Sequence, residues 1–136
     1  MNNECIFCKI IKGEIPSYKV YEDDKVLAFL DISPVNPGHT LLIPKEHYEN
    51  TLETPVEILQ HMTEVVKKIV PGILKAVDAD SWNLGVNNGA TAGQVVFHTH
   101  WHIMPRFAND GHGLWKGKEY EEGKAEKIIN KIKANL

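Results

Sequence analysis

The stretch Phe97-His98-Thr99-His100-Trp101-His102-Ile103 sets three of the chain's seven histidines at alternate positions. Successive side chains of a β-strand point to opposite faces. The spacing therefore predicts a strand with His98, His100 and His102 on one face and Phe97, Thr99, Trp101 and Ile103 on the other. A row of imidazoles is too polar for a core face. It is also an odd solvent face, where lysine or glutamate is the usual choice. Its chemical uses are metal binding or work on a phosphate or carbonyl group. The reading without function is three unconnected histidines on an exposed edge strand. Imidazole titrates near about 6.5, so a neutral nucleophile is available at pH 7. Neighbouring imidazoles resist double protonation. A central histidine can thus stay neutral while a protonated neighbour holds phosphate oxygens, and covalent catalysis divides one hard displacement into two.

Just upstream, Asn88-Gly89-Ala90-Thr91-Ala92-Gly93 reads as a loop whose glycines let a phosphate approach backbone N–H groups. Most such glycines only make turns; beside the histidines these gain weight. The histidine strand is predicted over 95–105 and a preceding strand over 82–87. Further upstream, Pro55 opens a helix kept in period by Val56, Leu59, Met62, Val66, Ile69, Ile73 and Val77 to about Asp78. Pro71 lies inside that pattern and is expected to kink or split it. Residues 18–21, 26–31 and 39–44 read as three strands, the first two joined by the polar turn 22–25. A short helix is expected over 5–12, stopped by Gly13. A glycine-rich loop over 110–117 leads to a terminal helix over 119–136 with Ile128, Ile129 and Ile132 on one face. This order predicts an α+β fold: a five-stranded antiparallel sheet, one long helix packed on it, and short helices at either end.

At 136 residues the chain is expected to be a single domain, 1–136. Its 43% hydrophobic content supplies a normal core, and a net charge of -3 disfavours nucleic-acid binding through a basic patch. No apolar run is long enough for a membrane span, and the first residues lack the pattern of a signal peptide, so a cytoplasmic location is expected. Cys5 and Cys8 are the only cysteines. In a reducing compartment a Cys-x-x-Cys pair reads as thiols or half a zinc site, and less readily as a redox pair.

The run Gly93-Gln94-Val95-Val96-Phe97-His98-Thr99-His100-Trp101-His102-Ile103-Met104-Pro105-Arg106 resembles the signature of the histidine triad (HIT) superfamily, particularly its small microbial and nucleotide-binding branch. Ile6–Pro16, Ala28–Pro34, Gly38–His47 and Asn87-Asn88-Gly89 extend the likeness over 1–107; 108–136 matches less specifically. The resemblance implies a hydrolase or transferase acting at the α-phosphate of nucleoside phosphoramidates or related conjugates. His100 would be the nucleophile forming a nucleotidyl-histidine, His102 would sit on the α-phosphate oxygens, and His98 and His39 would complete the hydrogen-bond network. Asn87, Gly93, Gln94 and Val95 would contact phosphate, and Asp31 the ribose hydroxyls. Phe7, Phe29 and Ile32 would line the base and sugar pocket, although all three also suit ordinary core. Two positions depart from the pattern: Thr99 replaces an aliphatic residue, and Val95 stands where phosphoramidase-type relatives often carry serine, which bears on the leaving group.

The resemblance further implies a structural zinc held by Cys5, Cys8, His47 and His98, no organic cofactor, a purine nucleotide or nucleotidyl conjugate as ligand, and a homodimer formed near the long helix. Three other readings stand beside this one. The chain could cleave dinucleoside polyphosphates. The triad could itself bind catalytic zinc, against which Asp31 and the phosphate-loop residues argue. Or it could be a nucleotide-binding interaction protein with vestigial activity.

Overall fold

The computed structural model describes residues 2–136. Helix α1 (Ile6–Ile11) precedes strands β1 (Lys19–Glu22), β2 (Val26–Leu30) and β3 (Thr40–Pro44). Helix α2 (Val56–Val77), strands β4 (Ser81–Gly85) and β5 (Trp101–Arg106), and helix α3 (Lys124–Ala134) follow. The five strands form one sheet in the order β1-β2-β3-β5-β4, antiparallel at every pairing. This is the expected α+β architecture.

The alternation of β2 and β3 explains why the sheet is buried on both faces. Val26 and Ala28 of β2 and Leu42 of β3 turn toward α2, where Met62, Val65, Val66, Ile69, Val70 and Ile73 cover them. Leu27, Phe29, Leu41 and Ile43 turn the other way, onto Phe7, Cys8 and Ile10 of α1. The register pairs like with like: Ala28 lies opposite Leu42, and Phe29 opposite Leu41. Each such side chain, fully buried, contributes about 1.5–3 kcal/mol of transfer free energy. The hairpin turn is tied by Asp23, which accepts from the N–H groups of Lys25 and Val26. The other oxygen of Asp23 takes Tyr21 Oη at 3.0 Å and His61 Nε2 of α2 at 2.7 Å.

Three expectations need correction. Pro71 does not split α2, which runs unbroken from 56 to 77. Pro71 is exposed, so the Lys67 carbonyl left without its helical donor can be hydrated, while buried residues before and after it hold both halves to the sheet. The helix ends at Asp78 in the left-handed conformation, with Ala79 N–H returning to the Leu74 carbonyl.

The histidine strand is shorter than predicted. β5 begins at Trp101, so of the three histidines only His102 lies on regular strand. Its ladder with β3 stops at Leu42–Trp101. Pro44 has no N–H to donate, and its carbonyl already accepts His98 Nε2–H at 2.8 Å. Thr99 N–H turns aside to the Tyr48 carbonyl. Trp101 and Ile103 still pack on the α2 core as expected, but Phe97 is largely exposed.

The terminal helix is also shorter than expected, and its apolar face is uncovered: α3 buries no residue, and Ile129 and Ile132 are exposed.

Candidate active site

A hollow of about 550 Å³ opens on the α1 face of the sheet. Phe7, Phe29, Asp31, Ile32, Asn87, Gly93, Val95, His100 and His102, all singled out from sequence, line it. Phe7 is its hinge piece: its ring meets Phe29 edge-on at 5.7 Å and His100 at 5.0 Å. Sequence reasoning missed Ile10, Ile15 and Pro16, which complete the apolar wall. The helical spacing of Ile6 and Ile10 around Phe7 was the available signal. His39, Gln94 and His98 do not line the hollow.

The hydrogen bonds assign a proton to one nitrogen of each histidine. His100 Nδ1 lies 2.7 Å from the His98 carbonyl, which can only accept, so Nδ1 carries the proton and Nε2 keeps its lone pair. His39 Nδ1 accepts from Val35 N–H at 3.1 Å, so His39 carries its proton on Nε2. That proton is donated to His102 Nδ1 at 2.9 Å, which leaves His102 with Nε2–H. The rings of His100 and His102 stand 5.0 Å apart. The Asp31 carboxylate lies 3.8 Å from His39 Nε2 and caps the turn by accepting from Ser33 N–H.

Burial holds the whole group neutral. It lowers the His39 and His100 imidazoles from their ordinary value. His102 falls to about 4, through burial first and then through His100 and His39. This corrects the expectation of a protonated neighbour at pH 7: the neutral His102 Nε2–H is the donor available to a phosphate.

The loop before the triad is pinned from inside. Gly89 and Gly93 take positive φ (90° and 95°), where a side chain is strained. A Cβ on Gly93 would also approach Asn87 Nδ2 to 3.3 Å. Gln94 differs from expectation: its side chain accepts from Gly89 N–H and donates to the carbonyls of Glu49 and Val96, and its own N–H goes to Gly89. Gln94 therefore shapes the loop and has no free donor for a phosphate. Thr99 is buried, its hydroxyl 2.8 Å from that of Thr54, which satisfies the polar group at that departure from the pattern.

His98 turns away from the hollow. With Nε2–H on the Pro44 carbonyl, its Nδ1 lone pair faces Cys5 Sγ at 3.5 Å, Cys8 Sγ at 3.6 Å and His47 Nδ1 at 3.1 Å. Ligand atoms of all four residues lie within 4.8 Å of one another. Two sulfurs and two imidazole nitrogens, three of the four residues buried, are a donor set suited to tetrahedral metal. A second group, Asp31, His39 and His102, is equally close. A metal there would displace the proton from His39 Nε2 while Val35 N–H still occupies Nδ1, leaving the ring an imidazolate. The geometry favours the hydrogen-bond relay. His98, His100 and His102 do not converge on one metal position, so the catalytic-zinc reading of the triad loses its ligand set.

A family model described as the HIT domain matches residues 12–109. Adenylylsulfatase HINT3 of Arabidopsis thaliana is 53% identical over 110 residues, 81% of this chain and 56% of that protein, so this chain spans little more than half of the plant relative. Adenosine 5'-monophosphoramidase HNT1 of Candida albicans is 39% identical, covering 97% of this chain and 91% of its own. The crystal structure of a HIT family member from Bacillus subtilis superposes with a TM-score of 0.88 at 47% identity, over 99% and 98% of the two chains. A zinc-bound histidine triad family protein from Mycobacterium smegmatis gives 0.76 at 33% identity, over 97% of each chain. With the buried histidine group, the glycine loop and the sheet order in place, these likenesses make the chain a member of the HIT domain family.

Proposed function

We propose that residues 1–136 act as one cytoplasmic domain that hydrolyses nucleotidyl conjugates at the α-phosphate, nucleoside phosphoramidates foremost. The observation that carries this reading is the fixed tautomer of His100. Its Nδ1–H is held by a backbone carbonyl, so a neutral Nε2 lone pair remains beside an apolar hollow. Phe7, Phe29 and Ile32 suit a base and sugar, and the Asp31 carboxylate suits ribose hydroxyls. His100 Nε2 attacks the α-phosphorus, a new P–N bond forms, and the leaving group departs with the electron pair of its bond to phosphorus, a phosphoramidate nitrogen taking up a proton from solvent as it leaves. His102 Nε2–H donates to the phosphate oxygens, where charge develops. Asn87, Gly93 and Val95 border the same space. Water then attacks phosphorus and gives up a proton to solvent, the P–N pair returns to His100, and the nucleoside monophosphate leaves.

Cys5, Cys8, His47 and His98 would hold zinc, which would supply a structural tie between the N-terminal segment and the triad, with no position open for chemistry. That the mycobacterial relative is zinc-bound supports zinc as the metal, and the close set of two sulfurs and two imidazole nitrogens supports these residues as its ligands. A homodimer is the assembly proposed: β4 is a sheet edge with Trp82 and Leu84 exposed, and Trp115 nearby is 98% exposed. Sedimentation should give twice the chain mass.

The deciding experiment presents an adenosine phosphoramidate, adenylyl sulfate and diadenosine polyphosphate to the protein and to His100→Ala. Mononucleotide release that vanishes in the variant supports the mechanism, and the preferred substrate gives the leaving group. Nucleotide bound with no release from any substrate favours a binding protein.

A further inference from the structure

The chain of donors that fixes His102 begins at a backbone amide, Val35 N–H, in the irregular segment between β2 and β3. What holds that amide in place lies far along the chain. The Asn36 side chain, 9% exposed, donates through Nδ2 to the Pro105 carbonyl and to Asp110 Oδ2, both at 2.9 Å. Asp110 is a hub: it also receives Arg106 Nε at 2.8 Å, Arg106 Nη2 at 3.1 Å, and the N–H groups of Phe107 and His112. Arg106 reaches on to Asn83 of β4 and to the His112 carbonyl. The loop closes with His112 Nε2–H, which donates to the Val35 carbonyl at 2.9 Å. Val35 is thus gripped at both ends, by His112 at its carbonyl and by His39 at its N–H. Asn36 grips the same turn once more, its carbonyl accepting from His39 N–H.

None of Asn36, Arg106, Asp110 or His112 lines the hollow. An Asp that accepts five donors could be a plain structural knot. It is more than that here because a continuous hydrogen-bonded route leads from it through Val35 and His39 to His102 at the hollow. We propose that Asn36, Asp110 and Arg106 form a positioning clasp for the His39–His102 pair, holding Val35 N–H against His39 Nδ1 and so selecting the His102 tautomer that presents Nε2–H. The Arg106 guanidinium and the two backbone N–H groups hold the Asp110 carboxyl far below the usual carboxylate range, so the clasp stays closed through the working pH range. Without it, His39 could carry its proton on either nitrogen, and His102 would offer the substrate a lone pair in a share of molecules. The catalytic half of this inference rests on the function proposed above; the tautomer half does not.

The test measures long-range proton–nitrogen spectra of histidine-labelled protein together with kcat and KM, in wild type, Asn36→Ala, Asp110→Asn and His112→Ala. Wild type should show His39 protonated on Nε2 alone. Asn36→Ala and Asp110→Asn should move the His39 and His102 ring nitrogens toward mixed tautomers and lower kcat about tenfold, with KM changing less than about twofold. His112→Ala, at an exposed residue, should shift the same signals less, and it keeps the test open if a buried variant fails to fold. Ring-nitrogen signals that stay at their wild-type positions in all folded variants overturn the proposal, even if stability falls, because a merely structural knot predicts that outcome. Absence of turnover in the wild type would count against the proposed function and leave the spectra to decide the clasp.

Discussion

His98 and His102 belong to one short motif, yet they sit in opposite kinds of surroundings. His98 gives Nε2–H to the Pro44 carbonyl and turns a bare Nδ1 toward two sulfurs and another imidazole. His102 takes a proton's hydrogen bond on Nδ1 and keeps Nε2–H. Both are driven toward neutrality, to about 4, chiefly by burial. Burial therefore does not separate their roles. The partner on the far nitrogen does, since it decides which face of the ring is a lone pair and which is a donor. Between them, His100 has its Nδ1–H on a carbonyl and its Nε2 bare, the arrangement of a nucleophile.

This contrast can be broken most sharply at His100. His100→Ala should lower mononucleotide release by roughly a thousandfold or more, while equilibrium binding of the nucleotide changes only a few-fold. A comparable loss of binding would place His100 in recognition instead. The metal side should respond differently: Cys8→Ser should abolish bound zinc in elemental analysis and lower Tm by roughly 10 °C, given the folding energy that metal ligation supplies. If zinc content survives that change, the assignment of His98 to a metal fails.

Titration sharpens the same contrast. The folded pKa of His102 lies near 4, below its ordinary 6.5, so the unfolded chain binds a proton that the folded one refuses. Stability from this group is complete above pH 6.5 and is lost as pH falls toward 4. Thermal unfolding followed from pH 7.5 to 4.5 should show Tm falling through that window, and a flat Tm would contradict the burial. The smallest effect is expected far from both centres. His61→Ala removes the 2.7 Å bond to Asp23 and should cost about 1 kcal/mol with kcat unchanged. Denaturant unfolding and turnover measured together check it.

The long helix was readable from its period and the central strands from short apolar runs, whereas most of the hollow was readable only through the resemblance to the HIT signature. Val26–Leu30 and Thr40–Pro44 are short apolar runs buried on both faces, and the buried residues of α2 repeat at helical spacing. The end of β5 at Trp101 was hidden because it depends on the Pro44 carbonyl, 54 residues before His98 in the chain. The survival of α2 through Pro71 was hidden for a related reason: exposure of one carbonyl is a tertiary fact, invisible to a rule about proline. The inward use of Gln94 needs Glu49 and Gly89 as partners, and a motif names neither. Asn36 and Asp110 are 74 residues apart, and their meeting has no periodic trace.

Because the first donor toward His39 belongs to the main chain at Val35, it is present whatever side chain stands there. A survey of the chain by alanine replacement will register His39 and His102 and pass over position 35 in silence. Only proline, which lacks the N–H, deletes the donor. Tolerance of every residue but proline at 35 would be the genetic imprint of a backbone amide at work in the site.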